Sequence, residues 1–241
     1  MENILTIGIT THGNRVSKEI ISFLKGSNVS VIISEDKDID SEFIPDYVNE
    51  LSQSGTDTKY VFSKKSGIAN NRQNILDNVK TKYFYTIDND DVLKGNLTEL
   101  TNFLSNNDYD IISIKCYEDG HYMHIPKDFF YMCTWMQIFK TDWFKGLGGY
   151  IQSWNFIHEE CATNLNMKVN NGRKNYSKKI ISKKILSYYY HANSACNVTF
   201  DIQQVCNFIE KIPNNSKIEK KKNFLNMFLQ FAQKYMKLWG N

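Results

Sequence analysis

The sequence predicts an α/β protein, and three observations carry that prediction. Strand-like apolar runs alternate with helical patterns through the first hundred residues, at the spacing of right-handed parallel crossovers in a Rossmann-like half. One of these runs, Tyr83-Phe84-Tyr85-Thr86-Ile87, shows no polar alternation and therefore reads as a strand buried on both faces. The chain has 241 residues, 41% of them hydrophobic, which suffices for one large domain with an ordinary core, or for a domain and a short appendage.

Taken in order, residues 4–10 form the first strand, Thr11-His12-Gly13-Asn14-Arg15 a turn and residues 16–25 a helix. Residues 28–34 form a second strand that runs into Glu35 and Asp36, and a polar loop continues to Pro45. A short helix over 46–53, a strand over 59–63 and a helix over 68–79 then lead into the central run. Beyond it, 97–104 is a helix and 110–116 a strand, with Glu118-Asp119-Gly120 as a hairpin turn and an aromatic block over 129–139. Gly146, Gly148 and Gly149 suit either a close approach to a ligand or a plain turn. Residues 156–168 make a helix with His158, Glu159 and Glu160 on its first turn, and 178–190 make one or two strands ending at His191. A helix over 201–212, capped by Asn197 or Thr199 and stopped by Pro213, opens the C-terminal part.

Composition narrows the function. A net charge of +3 gives no global electrostatic case for a nucleic-acid partner. Five cysteines without a C-x-x-C pair suggest neither a zinc cage nor a complete disulfide framework, and reduced thiols in a cytoplasmic protein account for them most simply. Met1-Glu2-Asn3-Ile4 lacks a basic n-region, and no run approaches the ~18–20 apolar residues of a membrane span. Neither G-x-G-x-x-G nor a P-loop is present, so any diphosphate would have to be held through a metal.

The central strand ends in Asp88-Asn89-Asp90-Asp91. Carboxylates at the end of a core strand want water, a cation or hydrogen bonds, and ligands of open α/β sheets bind at the carboxyl ends of strands. Asp88 and Asp90 are close enough in a turn to face one Mg²⁺ or Mn²⁺ bridged by a diphosphate. The plainer use of such residues is to close a turn and cap the next helix.

Upstream lies Ser66-Gly67-Ile68-Ala69-Asn70-Asn71-Arg72-Gln73, and downstream lie Gly148-Gly149-Tyr150, Glu159-Glu160 and Tyr190-His191-Ala192-Asn193-Ser194. Together with the acidic turn these stretches resemble family 2 glycosyltransferases of the GT-A fold, in which a "G-x-A-x-A-R-N" helix leads to "D-x-D-D". A "G-G" turn, an "E-D" pair and "H-x-x-S" follow in that family. The resemblance runs from Ile4 to about Ser194. It implies a Rossmann-like nucleotide-binding half, a mixed-sheet acceptor half and a C-terminal helical tail, with residues 1–198 as the catalytic domain and 199–241 as the extension. It also implies that Thr11 and Asp36 contact the nucleoside, that Arg72 sits near the base or diphosphate, and that Asp88 faces the ribose. Asp90 and His191 would hold Mn²⁺ or Mg²⁺, imidazole suiting Mn²⁺ better. Glu160, or else Glu159, would be the general base of an inverting transfer. The chain departs from the family in Gln73 for Asn, in an extra residue near Gly13 and in Glu160 for Asp.

The activity expected is metal-dependent transfer of a sugar from a nucleotide sugar, UDP-linked first, to a hydroxyl of a glycan or lipid-linked acceptor. A nucleotidyltransferase would want a Gly- and Lys/Arg-rich loop after the first strand, where Thr10 to Arg15 offers one Gly and one Arg. A nonenzymatic carbohydrate-binding subunit would bind a nucleotide sugar and release no UDP. In residues 218–239 Phe224, Phe228, Phe231, Tyr235 and Leu238 recur at helical spacing among lysines, which suits packing on the domain or contact with an anionic membrane at its inner, cytoplasmic face. Liposome flotation of the full and tail-deleted chains separates the two.

Overall fold

The computed structural model describes residues 3–13, 15–36, 42–118, 121–123, 125–151, 159–171, 175–190 and 230. Through the first half, β1 (Leu5–Thr11), α1 (Lys18–Leu24), β2 (Ser30–Glu35), α2 (Ile44–Gln53), β3 (Asp57–Phe62), α3 (Ile68–Asn78) and β4 (Tyr83–Asp88) alternate as the pattern predicts. β1 and β2 are buried along almost their whole length, which is why they read as unbroken apolar runs. Then come β5 (Val92–Gly95), α4 (Leu97–Ser105), β6 (Ile111–Ser113), β7 (Lys115–Glu118) and β8 (His121–Tyr122). Two short 3₁₀ turns, Phe129–Tyr131 and Thr134–Met136, precede β9 (Gln137–Lys140) and α5 (Thr141–Gly146). The described chain closes with α6 (Glu159–Asn171), β10 (Lys178–Ile180) and β11 (Leu186–Tyr190).

A seven-stranded sheet has the order β10-β6-β9-β4-β1-β2-β3, with β9 antiparallel to both its neighbours and the other pairs parallel. β4 is its middle strand. Its Tyr83, Phe84 and Tyr85 are fully buried, and Phe84 meets Phe139, Phe144 and Tyr150 at ring-centroid separations of 5.7, 5.3 and 6.3 Å. The chain lays down β1, β2 and β3 in one direction and then returns to place β4 on the far side of β1. The carboxyl ends of β1 and β4 are therefore the topological switch point, where a crevice opens.

Three expectations are corrected. The strand expected over 110–116 is two strands, β6 in the large sheet and β7 in a second sheet of order β5-β11-β7-β8, and the chain changes sheet at Ile114, whose N–H bonds Met136 O at 3.0 Å. The aromatic block contributes β9 as well as its two turns. Of the three glycines over 143–150, Gly146 ends a helix, α5, and only Gly148 and Gly149 take positive φ in the turn. Among the described residues no helix is long and apolar enough to cross a membrane. Apart from residue 230, which is helical and exposed, the expected helices over 201–212 and 218–239 lie outside the described residues.

Candidate active site

Asp88 ends β4 beside Thr10 of β1, its register partner. Thr10 Oγ1 donates to Asp88 Oδ1 at 2.6 Å, and Arg72 Nη2 donates to both carboxylate oxygens at 3.1 and 3.2 Å. Arg72 reaches across from α3 and is only 2% exposed, so the pair is shielded from water on the cation's side. α3 stands close enough for this because β1 carries Gly8, where an added Cβ would come within 2.4 Å of Ile75.

The rest of the acidic turn divides its labour. Asp91 is buried, accepts the Asp88 N–H at 2.6 Å through Oδ2, and takes the Tyr188 hydroxyl on Oδ1. Burial first, and then the Asp88 charge, pushes the Asp91 carboxyl well above the usual range, against the pull of those two hydrogen bonds. Asp91 thus ties the turn to β11 and does not face solvent. Asn89 Nδ2 donates to Arg15 O at 2.8 Å, and Asn89 O accepts from Ser17 N, the N-cap of α1, at 2.8 Å. Asp90 is exposed, and among the described residues no side chain holds it.

At the ends of β1 and β2, Asp36 accepts the Gly67 N–H at 3.1 and 3.2 Å and meets His12 Nδ1 at 3.0 Å. Gly67 takes φ 110°, a conformation that favours glycine, and so opens α3 with its N–H turned to that carboxylate. Thr11 is buried, and its carbonyl accepts from Asp36 N at 3.1 Å and Asn71 Nδ2 at 3.0 Å. Glu35 secures the first turn by accepting the Gly13 N–H at 3.2 Å and the Tyr60 hydroxyl.

The glycine turn serves packing. Gly149, at φ 68°, lies where a Cβ would stand 2.4 Å from Gln73 Oε1, and that oxygen accepts the Tyr150 N–H at 2.8 Å. α6 is docked on the same turn, since Asn166 and Asn170 donate to Leu147 O at 2.8 and 2.7 Å and Thr163 Oγ1 accepts from Ile151 N at 3.0 Å. Lys168, between Asn166 and Asn170 in the helix, bonds Asp128 through Nζ at 2.7 Å. Glu159 and Glu160 open this helix, and their side chains lie outside the described residues, as does His191, the residue after β11.

The structure therefore brings Asp88, Asp90, Arg72, Thr11 and Asp36 to one edge of the sheet. It adds Thr10, Asn71, Tyr188 and Trp135, which sequence reading missed. Thr10 and Tyr188 sat inside strand patterns, where alignment across strands alone reveals a site. Asn71 is 3% exposed and its Oδ1 has no partner among the described residues, a buried acceptor that a ligand donor could satisfy. Trp135 is half-buried in the turn before β9, with its carbonyl accepting from Tyr85 Oη at 2.7 Å and its ring on Tyr188 at 4.7 Å. Among the described residues no group of three or more His, Cys, Asp or Glu side chains gathers as a metal site. A single exposed carboxylate fits a Mg²⁺- or Mn²⁺-type ion that takes one or two carboxylates and completes its shell from substrate phosphates.

Residues 14–142, more than half of the chain, match the family model described as Glycosyl transferase family 2. No curated protein matches the chain. Among solved structures, S. aureus TarS 1–349 in complex with UDP-GlcNAc superposes with a TM-score of 0.62 at 15% identity, covering 95% of this chain and 72% of that one. The longer S. aureus TarS chain gives 0.62 at 15% identity, with 94% of this chain and 43% of that one covered. The mannosyltransferase PcManGT from Pyrobaculum calidifontis, in complex with GDP-Man and Mn²⁺, gives 0.56 at 11% identity over 97% and 74%. At such identities the likeness establishes the fold, which is the GT-A fold expected from the sequence.

Proposed function

The chain belongs to glycosyl transferase family 2, and on that premise we propose that it moves a sugar from a nucleotide sugar to a hydroxyl of a glycan or lipid-linked acceptor, with inversion at the anomeric carbon. The observation that carries this reading is the acidic turn at the switch point. Asp88 is fixed by Arg72 and Thr10, Asp91 is turned inward to Tyr188, and Asp90 is presented to solvent. TarS bound to UDP-GlcNAc and PcManGT bound to GDP-Man with Mn²⁺ support a nucleotide-sugar donor, and UDP is the first choice of nucleotide.

Asp36, held by the N-terminal end of α3, and Thr11 receive the nucleoside, and Asn71 Oδ1 is available to one of its donor groups. Arg72 stands beside Asp88 on the path to the diphosphate. Asp90 and His191 would hold Mn²⁺ or Mg²⁺. When bound, that cation offsets charge developing on the leaving diphosphate. Glu160, with Glu159 as second choice, takes the proton of the acceptor hydroxyl as its oxygen attacks the anomeric carbon opposite the diphosphate. Residues 1–198 would carry this activity. A lipid-linked acceptor would bring the cytoplasmic enzyme to a membrane surface, with residues 218–239 as the contact that the flotation comparison tests.

The function is tested by offering the full chain UDP- and GDP-sugars with Mn²⁺ and measuring nucleotide release. Release of UDP or GDP from at least one donor is expected. Binding of a donor with no release in the presence of glycan and lipid-linked acceptors would favour a binding subunit.

A further inference from the structure

We propose that Trp135 is the platform on which the sugar ring of the donor rests, an inference that takes the glycosyltransferase reading above as its premise. The groups along the carboxyl edge of the sheet stand in a fixed order. Asp36 follows β2, Thr11 ends β1, Asp88 ends β4, and Trp135 lies in the turn that enters β9, the next strand. Neighbouring strands lie ~4.8 Å apart, so β2 to β9 spans about 14 Å, a distance comparable to an extended nucleoside diphosphate sugar. With the nucleoside over β2 and β1 and the diphosphate at the acidic turn after β4, the sugar has the β9 side to occupy.

The indole is built into that position. Tyr85 Oη donates to the Trp135 carbonyl at 2.7 Å and holds its backbone against β4. One ring face lies on Tyr188, with centroids 4.7 Å apart and planes 29° from parallel. Tyr188 is itself buried and bonded to Asp91, the neighbour of Asp90. Trp135 therefore covers Tyr188 and stays half-buried, an amphipathic ring beside a polar turn. The apolar C–H face of a pyranose packs on such a ring, and a ring already fixed by its neighbours loses little entropy when the sugar arrives.

The rival role is a lid on Tyr188 and nothing more. Calorimetric titration of the full chain with Mn²⁺ separates the two, using UDP-GlcNAc, UDP-glucose and GDP-mannose beside free UDP and GDP. For the donor that the wild type binds, Trp135→Leu should weaken affinity roughly tenfold, about the worth of one aromatic contact, while Trp135→Phe keeps most of it. The matching free nucleotide should bind both variants within about twofold of wild type, which also shows that they fold. Equal losses for sugar nucleotide and free nucleotide would reduce Trp135 to a structural lid and overturn the inference. Wild-type donor affinity in Trp135→Leu would overturn it alone, whereas a wild-type chain that binds no sugar nucleotide would overturn the premise with it.

Discussion

Five acids, Glu35, Asp36, Asp88, Asp90 and Asp91, stand at or just beyond the ends of β2 and β4, and what each can do follows from what it is bonded to. Glu35 and Asp91 are turned inward to Tyr60 and Tyr188, whereas Asp36 is held in place by Gly67 and His12 and Asp88 by Arg72 and Thr10. Only Asp90 of the five is exposed. The acidic turn itself was legible as a cluster, because desolvating carboxylates at the end of a buried strand demands partners. Which acid faces outward was not legible, since that depends on Tyr188, a residue 97 positions away in the chain. The proposed base, Glu160, belongs to the same scale. Glu160→Gln removes the proton acceptor and keeps the shape, so kcat for transfer should fall by at least ~10²-fold with donor affinity nearly unchanged. Kinetics on Glu159→Gln beside it are the check. A loss in that variant alone would swap the two roles, and full activity in both would place the base elsewhere.

At the scale of elements, α3 and α6 do the positioning. α3 supplies Gly67 and Arg72 to the donor side and, through Gln73, holds the Gly149-Tyr150 turn on which α6 is seated. Gln73 is the residue that departs from the family's Asn, and its Oε1 is what meets the Tyr150 N–H. The glycine turn could be read from sequence only as a turn or a ligand approach, because its partner is a helix some seventy residues earlier. α6 is also anchored through its last turn by Asp128, where burial pushes the carboxyl up but the Lys168 ammonium, the Phe130 N–H and the Tyr176 hydroxyl outweigh it and hold it below the usual range. A lowered folded-state pKa gives stability that is present above the unfolded value, ~3.9, and is lost as pH falls through the folded value. Both side chains are more than a third exposed, so the pair is worth about 1 kcal/mol or less. Asp128→Asn should lower Tm at pH 7 by at most about 2–4 °C, with the gap to wild type shrinking as the pH falls below about 4. Thermal scans at pH 7 and near pH 3 measure it, and a gap of unchanged size would assign the loss to something other than this ionised pair.

For the whole molecule, function follows from where the sheet changes direction. Because β4 returns to the far side of β1, Thr10 and Thr11 of β1, Asp36 after β2, and Asp88 and Asp90 at the end of β4 share one edge although the chain separates them into three segments. The parallel half was legible because each strand and helix there shows its own period and its crossovers are short. The second half was not, because short strands of three or four residues carry no period and two sheets share the segment 111–118. The exposed Asp90 at this edge is proposed to hold the cation that serves the donor diphosphate, and the whole reading turns on that role. It is tested most directly by Mn²⁺-dependent nucleotide release from the active donor, compared between the wild-type chain and Asp90→Ala, each with Mn²⁺ and with EDTA. Release by wild type that disappears in EDTA, and is absent from Asp90→Ala at any Mn²⁺ concentration, is the predicted result. Full release by Asp90→Ala, or by the wild-type chain in EDTA, would contradict it.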